Sequence, residues 1–323
     1  MHFCTYALCA SVEGDVSGDT RLPLTGARLS RVCAVAIDAV WLRVLGQAFA
    51  DDCAAASLYI DVVAKFPPDA ADIAEKVYFS LWLHGLLRVG EAVAVVGRVA
   101  SDGTRAVDSP LSVVRPGYLE SRALDWPTLN AATLDSVDRV AAGLRERDRR
   151  QDEFCRLWHG LRALRRALTW DEQHDAYERG ANLVRSVEAI VFKPGERAGA
   201  KDFGKRVARL CDGVSEAELA DAYHKVRSAY VHMHKRYVQP DMQAASTRFD
   251  ELSALVEDLA LCLWRQILGD PAVRETVSDE RLPALQCWLR CGTAGDPWLG
   301  VKCGSPARPV TWRREPPHYI RTS

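Results

Sequence analysis

The chain has 323 residues, with 42 basic against 43 acidic side chains and a formal net charge of −1. That balance excludes a polycation that binds nucleic acid over its whole surface, so any such contact must come from local patches. With 48% of the residues apolar, a sizeable core is available, and the length suits two domains of ordinary size.

No apolar run reaches about 18 residues, and no charged-then-apolar leader opens the chain, so no membrane partner is expected. Ten cysteines are scattered, most of them inside apolar runs such as "RVCAVAI" and "LALCLW". There a free thiol behaves as a small hydrophobe, and a reducing, cytoplasmic setting is expected.

Residues 1–125 mix apolar runs with turn signals and read as a mixed α/β domain. "CTYALCASV" (4–12) predicts a strand, and residues 13–26 a loop. "VCAVAIDAV" (32–40) and "SLYIDVVAKF" (57–66) predict further strands. "DIAEKVYFSLWLHGLL" (72–87) predicts a helix. "EAVAVVGRVASDGTRAV" (91–107) predicts two strands joined by a Ser-Asp-Gly turn. Trp41, Tyr59 and Trp82 look buried. No glycine-rich phosphate loop or nucleophile elbow is present, so a sensing, partner-binding or supporting role is expected.

"DWPTLNAATLD" (125–135) marks a boundary, a break followed by a helix cap. Residues 126–269 then turn to charged, amphipathic helix and predict an all-α bundle of about five helices. Residues 134–168 form one long helix or two with a short joint. Residues 172–192 place Leu183, Val187, Ile190 and Val191 on one face. Residues 193–202 are a loop, and a short helix spans about 203–211. Ser215 and Glu218 read as a capping box. Behind them Leu219, Tyr223, Val226, Tyr230 and Met233 form a stripe for burial. Residues 243–268 make the last long helix, with Leu252, Leu255, Val256, Leu259 and Leu263 inward. Residues 270–323 form an extension rich in Pro and Arg, with a short helix near 280–291. The fold class is therefore α+β.

"YHKVRSAYVHMHKR" (223–236) sets Arg227, His232 and His234 into this stripe. Together with "LVRSVEAIV" (183–191) and "ADAYHKVRSAYVHMHK" (220–235), it resembles the HEPN superfamily, and more narrowly its ApeA-like branch, over about residues 150–268. The family hallmark is an Arg followed after four to six residues by a His near a helix end. Arg227 and His232 enclose Ser-Ala-Tyr-Val. Ser228 stands where the family usually has Asn, Asp or His.

The resemblance implies a metal-independent endoribonuclease without a cofactor, acting as a homodimer in which two Arg–His sets face one another. It also implies a role in antiviral defence, by abortive infection. The chemistry suits these residue types. Histidine titrates near the operating pH and can move the 2′-OH and 5′-oxygen protons. A fixed guanidinium offers two parallel hydrogen bonds to the scissile phosphate. Family members often carry an acid where Glu188 stands, and it would orient Arg227 or a histidine.

On an ideal helix His232 lies about 140° round from Arg227, whereas His234 lies about 20° away. The motif favours His232 and the spacing favours His234, so both are candidates. The alternative is a non-catalytic HEPN module for dimerisation or RNA binding, with Arg227 in a structural contact. A third reading makes Tyr230 a modification target of a separate nucleotidyltransferase.

Residues 145–166 carry eight arginines against four acids. They read as an RNA-backbone groove or, with more weight, as a solvated helix laced by ion pairs. Arg162, Arg165, Arg166, Lys235 and Arg236 are the RNA-binding candidates. His159 and His224 read as surface residues. Cys287, Cys291, Cys303 and His318 match no usual zinc spacing, so no metal site is assigned.

Overall fold

The computed structural model describes residues 1–8, 19–33, 46–47, 50–51, 56–87, 92–111, 128–169, 176–197, 199–227, 242–292 and 295–303. The fold is α+β, as the sequence predicts. Strands β1 (His2–Leu8), β2 (Thr20–Arg21), β3 (Arg28–Ser30), β4 (Leu58–Ala64), β5 (Ala92–Val99) and β6 (Arg105–Leu111) form a 6-stranded sheet in the order β2-β3-β4-β1-β5-β6. Every pairing is antiparallel. The predicted strand at 32–40 and Trp41 lie almost wholly outside the described residues.

Alternation along β1 and β4 sets the two faces of the sheet. Cys4, Tyr6 and Leu8 pair with Val62, Ile60 and Leu58, and all six join the main core. On the other face Thr5 pairs with Asp61, a buried carboxylate. Asp61 accepts from Thr5 Oγ1 at 2.9 Å and is clamped by Arg105 and Arg28. The β5–β6 turn is the Ser-Asp-Gly turn read from sequence. Gly103 takes φ +86°, and Asp102 accepts from the Thr104 amide at 2.8 Å.

Helix α1 (Pro67–Leu83) covers the core face of the sheet. It starts five residues earlier than expected, because the two prolines fall at its first positions. There the missing N–H costs nothing and the ring presets φ. Helix α2 (Ala131–Arg149) packs beside it. Asn130 and Thr133 form a reciprocal capping box, so the helix begins where the Asn/Thr cluster placed the break. Ser80 Oγ donates to the Val137 carbonyl at 2.8 Å, and His84 bridges the Ser80 carbonyl and Ser136 Oγ.

The 134–168 region is two helices. A 3-10 turn at Gln151–Glu153 separates α2 from α3 (Cys155–Leu168). Then follow α4 (Ala176–Val191), α5 (Ala200–Val207), α6 (Glu216–Ala222), α7 (Met242–Gly269), α8 (Pro271–Thr276) and α9 (Leu282–Cys291). Leu183, Val187, Ile190 and Val191 of α4 are buried, as are Leu252, Leu255, Val256, Leu259 and Leu263 of α7. Trp264 is fully buried. One apolar cluster runs from Cys4 and Tyr6 of the sheet through α1 and α2 to the helices of the second half.

Close helix packing rests on small residues. A Cβ at Gly143 would come within 1.8 Å of the Leu268 carbonyl oxygen.

The extension packs on the body. Asp279 accepts from the Cys155 and Arg156 amides at 3.1 and 3.3 Å and so caps α3. Cys303 forms a parallel bridge with Cys211 and a disulfide with Cys262. This corrects the reading of Cys262 as a free apolar thiol and runs against the reducing setting expected from it, and Cys303 does not join Cys287 and Cys291, which are exposed on α9. His318 and the Pro/Arg run at 304–323 lie outside the described residues. Among the described residues no helix is long and apolar enough to cross a membrane.

Candidate functional site

Glu188 and Arg227 meet. Glu188 comes from the last turns of α4. Arg227 ends a five-residue π turn, Tyr223–Arg227, that continues α6. Ser215 starts α6 as expected, its Oγ accepting from the Glu218 amide at 3.1 Å. Over Tyr223–Arg227 the backbone is wider than an ideal α-helix. Such π turns occur singly and often at functional sites.

The apolar stripe holds through this turn. Leu219, Tyr223 and Val226 are all buried. A close approach at Gly180 keeps the turn against α4: a Cβ there would lie 2.5 Å from Val226 Cγ1.

Arg227 Nε lies 3.3 Å from Glu188 Oε1. The same oxygen accepts the Tyr223 hydroxyl at 2.9 Å. The guanidinium carbon sits 5.0 Å from the centre of the Tyr223 ring. That ring in turn packs 4.8 Å from the Phe203 ring of α5. Burial, then the neighbouring Glu188 carboxylate, push the Tyr223 hydroxyl well above the usual tyrosine range. Tyr223 therefore stays a neutral donor. The sequence placed it in the stripe but not in the site. A buried tyrosine needs a partner for its hydroxyl, and that is the signal that points to it.

Exposure differs along this chain of contacts. The Glu188 side chain is 16% exposed and that of Arg227 is 41% exposed. A half-buried carboxylate and a buried ring thus position a guanidinium that solvent reaches. Its two terminal nitrogens have no partner among the described residues, and they suit an anionic oxygen. His232, His234, Lys235, Arg236 and Tyr230 lie outside the described residues.

The surface around the turn is charged. Asp221 pairs with Lys225 at 3.2 Å and with Arg248 at 3.3 Å. His224 and His159 are exposed, as expected.

The arginine-rich segment is largely ion-paired. Arg145 faces Asp72 at 3.7 Å, and Arg147 faces Asp148. Arg150 bridges Glu153 and Glu275. Of the RNA-binding candidates on α3, Arg165 pairs with Glu75 and Arg166 with Glu178. Arg162 differs. It stacks 5.4 Å from the ring of Trp158, an aromatic that is 38% exposed, and has no ion pair among the described residues. Among the described residues, no group of three or more His, Cys, Asp or Glu side chains is placed to hold a metal.

The chain matches no protein-family model, and no curated protein or solved structure matches it.

Proposed function

We propose that the chain is a metal-independent endoribonuclease of the HEPN type, cytoplasmic, dimeric and without a cofactor. The observation that carries this reading is the placement of Arg227. It is held by Glu188 and Tyr223, and it is half-exposed at the point where the chain enters the segment bearing His232 and His234.

In this reading the Arg227 guanidinium binds the scissile phosphate. His232 takes the 2′-OH proton, and the 2′-oxygen attacks phosphorus as the bond to the 5′-oxygen breaks. A histidine then protonates that leaving oxygen. The products are a 2′,3′-cyclic phosphate and a 5′-hydroxyl end. A second copy supplies the second imidazole, and His234 stands in reserve. Glu188 keeps the guanidinium oriented as charge builds on the phosphate. Arg162 and Trp158 serve as an RNA contact, since an exposed ring backed by a guanidinium can stack a base. The role is antiviral defence, with the first half of the chain regulating the second.

The experiment is direct. Total RNA is incubated with the purified chain in excess chelator, beside Arg227→Ala and His232→Ala. Cleavage abolished by both substitutions, with 5′-hydroxyl product ends, is expected. No cleavage by the wild type, or cleavage that either variant retains, sinks the assignment.

A second reading also has an observation behind it. The Arg227–Glu188 ion pair neutralises the guanidinium, as a structural contact would. In that case the helices form a non-catalytic dimerisation or RNA-binding module. An uncleaved RNA bound by a stable dimer marks that outcome.

A further inference from the structure

A cleft of about 470 Å³ lies where the second half of α2 meets the corner between α7 and α8, with Leu24 of the loop before β3 at one side. Its size falls in the range of small-molecule sites. It shares no lining residue with the Arg227 site. Five arginines and two glutamates line it, so cations outnumber anions by three.

The chain answers these cations poorly. Arg149, the last residue of α2, is exposed and makes no ion pair or hydrogen bond among the described residues. Arg145 faces Asp72 at 3.7 Å, but the other oxygen of Asp72 is held by Lys76. Arg139 pairs with Asp135 one turn before it, and both are exposed, so water screens the pair. Arg150 takes up both carboxylates of the cleft, Glu275 at 2.5 Å and Glu146 at 4.0 Å.

Arg274 adds a buried charge to the same lining. It is 6% exposed and makes no ion pair among the described residues. Its Nη1 donates to the Leu268 carbonyl at 2.8 Å, and its Nη2 makes no hydrogen bond among the described residues. Burial pushes this guanidinium below the usual arginine range. A buried cation of this kind is stabilised when a counter-charge meets it. Gly143 leaves the room, since a Cβ there would lie 2.5 Å from Arg274 Nη1.

We infer that this cleft binds a polyphosphate chain, either inorganic or the di- or triphosphate of a nucleotide. Arg145 and Arg149 bind the phosphates from the open side and Arg274 from the buried side. A guanidinium offers phosphate oxygens two parallel donors, which suits it to this task. Leu24, 59% exposed, and Pro271 give a base an apolar surface to rest on.

Titration calorimetry of the full chain at low ionic strength, with pyrophosphate, tripolyphosphate, ADP, ATP and adenosine, tests this. Tripolyphosphate or ATP binds once per chain, and adenosine does not bind. Arg149→Gln weakens binding about tenfold and leaves the unliganded melting temperature nearly unchanged, since Arg149 has no partner in the chain to lose. Arg274→Lys keeps the charge but loses the fork, and it weakens binding similarly when measured below its own melting temperature. Arg98→Gln, an exposed change on the sheet, leaves affinity as it was. Tighter binding of ATP than of tripolyphosphate identifies a nucleotide ligand, and equal affinity identifies the phosphate chain itself; both uphold the inference. It is overturned by no binding of any polyphosphate at millimolar concentration, by adenosine binding as tightly as ATP, or by full affinity in Arg149→Gln or Arg274→Lys. An equal loss in Arg98→Gln overturns it as well. So does RNA binding that Arg149→Gln weakens without any polyphosphate binding, which would give this surface to RNA. RNA cleavage in chelator reads Arg227 and His232, so its failure is separable from failure here.

Discussion

Arg227 and Tyr223 share one oxygen. Glu188 Oε1 lies 3.3 Å from the Arg227 Nε and accepts the Tyr223 hydroxyl at 2.9 Å. The guanidinium is therefore positioned by a carboxylate that a neutral tyrosine positions in turn. Tyr223→Phe removes one of these bonds and keeps the ring under the guanidinium. A hydrogen bond to a charged acceptor is worth about 1.5–3 kcal/mol, so urea unfolding should show a loss in that range. If Arg227 serves RNA cleavage, the same variant should also lower the rate while leaving RNA affinity nearly unchanged.

The loop between α4 and α5 carries the clearest pH dependence. Arg206 donates to the Val191 carbonyl at 2.9 Å and to both oxygens of Glu196. Those bonds hold the Glu196 carboxyl far below its ordinary value, at about 2. A depressed folded pKa means that the stabilisation is fully present above the unfolded value near 4.5 and is lost as pH falls towards 2. It amounts to about 2–3 kcal/mol. In Glu196→Gln that stabilisation should be absent at neutral pH. The fall in melting temperature expected for the wild type between pH 5 and 3 should be smaller in this variant.

Asp138 ties the sheet to the helices. This α2 residue is 1% exposed. It accepts from the Leu24 amide at 2.7 Å, the Thr25 amide at 3.0 Å and Thr25 Oγ1 at 2.7 Å. Asp138→Asn keeps the shape but turns an amino group towards a backbone N–H. A loss of about 2 kcal/mol is expected on thermal or urea unfolding. The far-ultraviolet spectrum should not change.

Gly143 sits where α2 crosses the end of α7. A Cβ would meet the Leu268 carbonyl oxygen at 1.8 Å and Arg274 Nη1 at 2.5 Å. Alanine favours a helix by about 0.5–1 kcal/mol over glycine. Here the backbone clash outweighs that gain. Gly143→Ala should destabilise by about 2 kcal/mol or more, measured by the shift of the urea midpoint.

What the sequence made legible was local. The Asn130–Thr133 box, the Ser215 cap and the Ser-Asp-Gly turn are signals between residues a few positions apart, and each sits where it was read. The buried faces of α4 and α7 followed from periodicity in the same way. The start of α1 was missed because two prolines resemble a break as much as a first turn. Other features arise through space, where no spacing rule reaches. The cap of α3 is Asp279, 124 residues away. The Cys262–Cys303 pair is separated by 41 residues. In the candidate site, Arg227 stood out as a charge in an apolar stripe, and Glu188 was named by the family resemblance. Tyr223 was hidden because a tyrosine suits a stripe. The π turn leaves no local mark in the sequence.

Helix α1 has no side of its own. One flank closes the sheet, and the other is roofed by α2, with Ser80 and His84 bonded across that seam. A fragment cut near residue 125 would leave that second flank wet and sticky, prone to clump. Heating the intact chain should give one sharp calorimetric peak, because neither half can let go of α1 without spoiling the other.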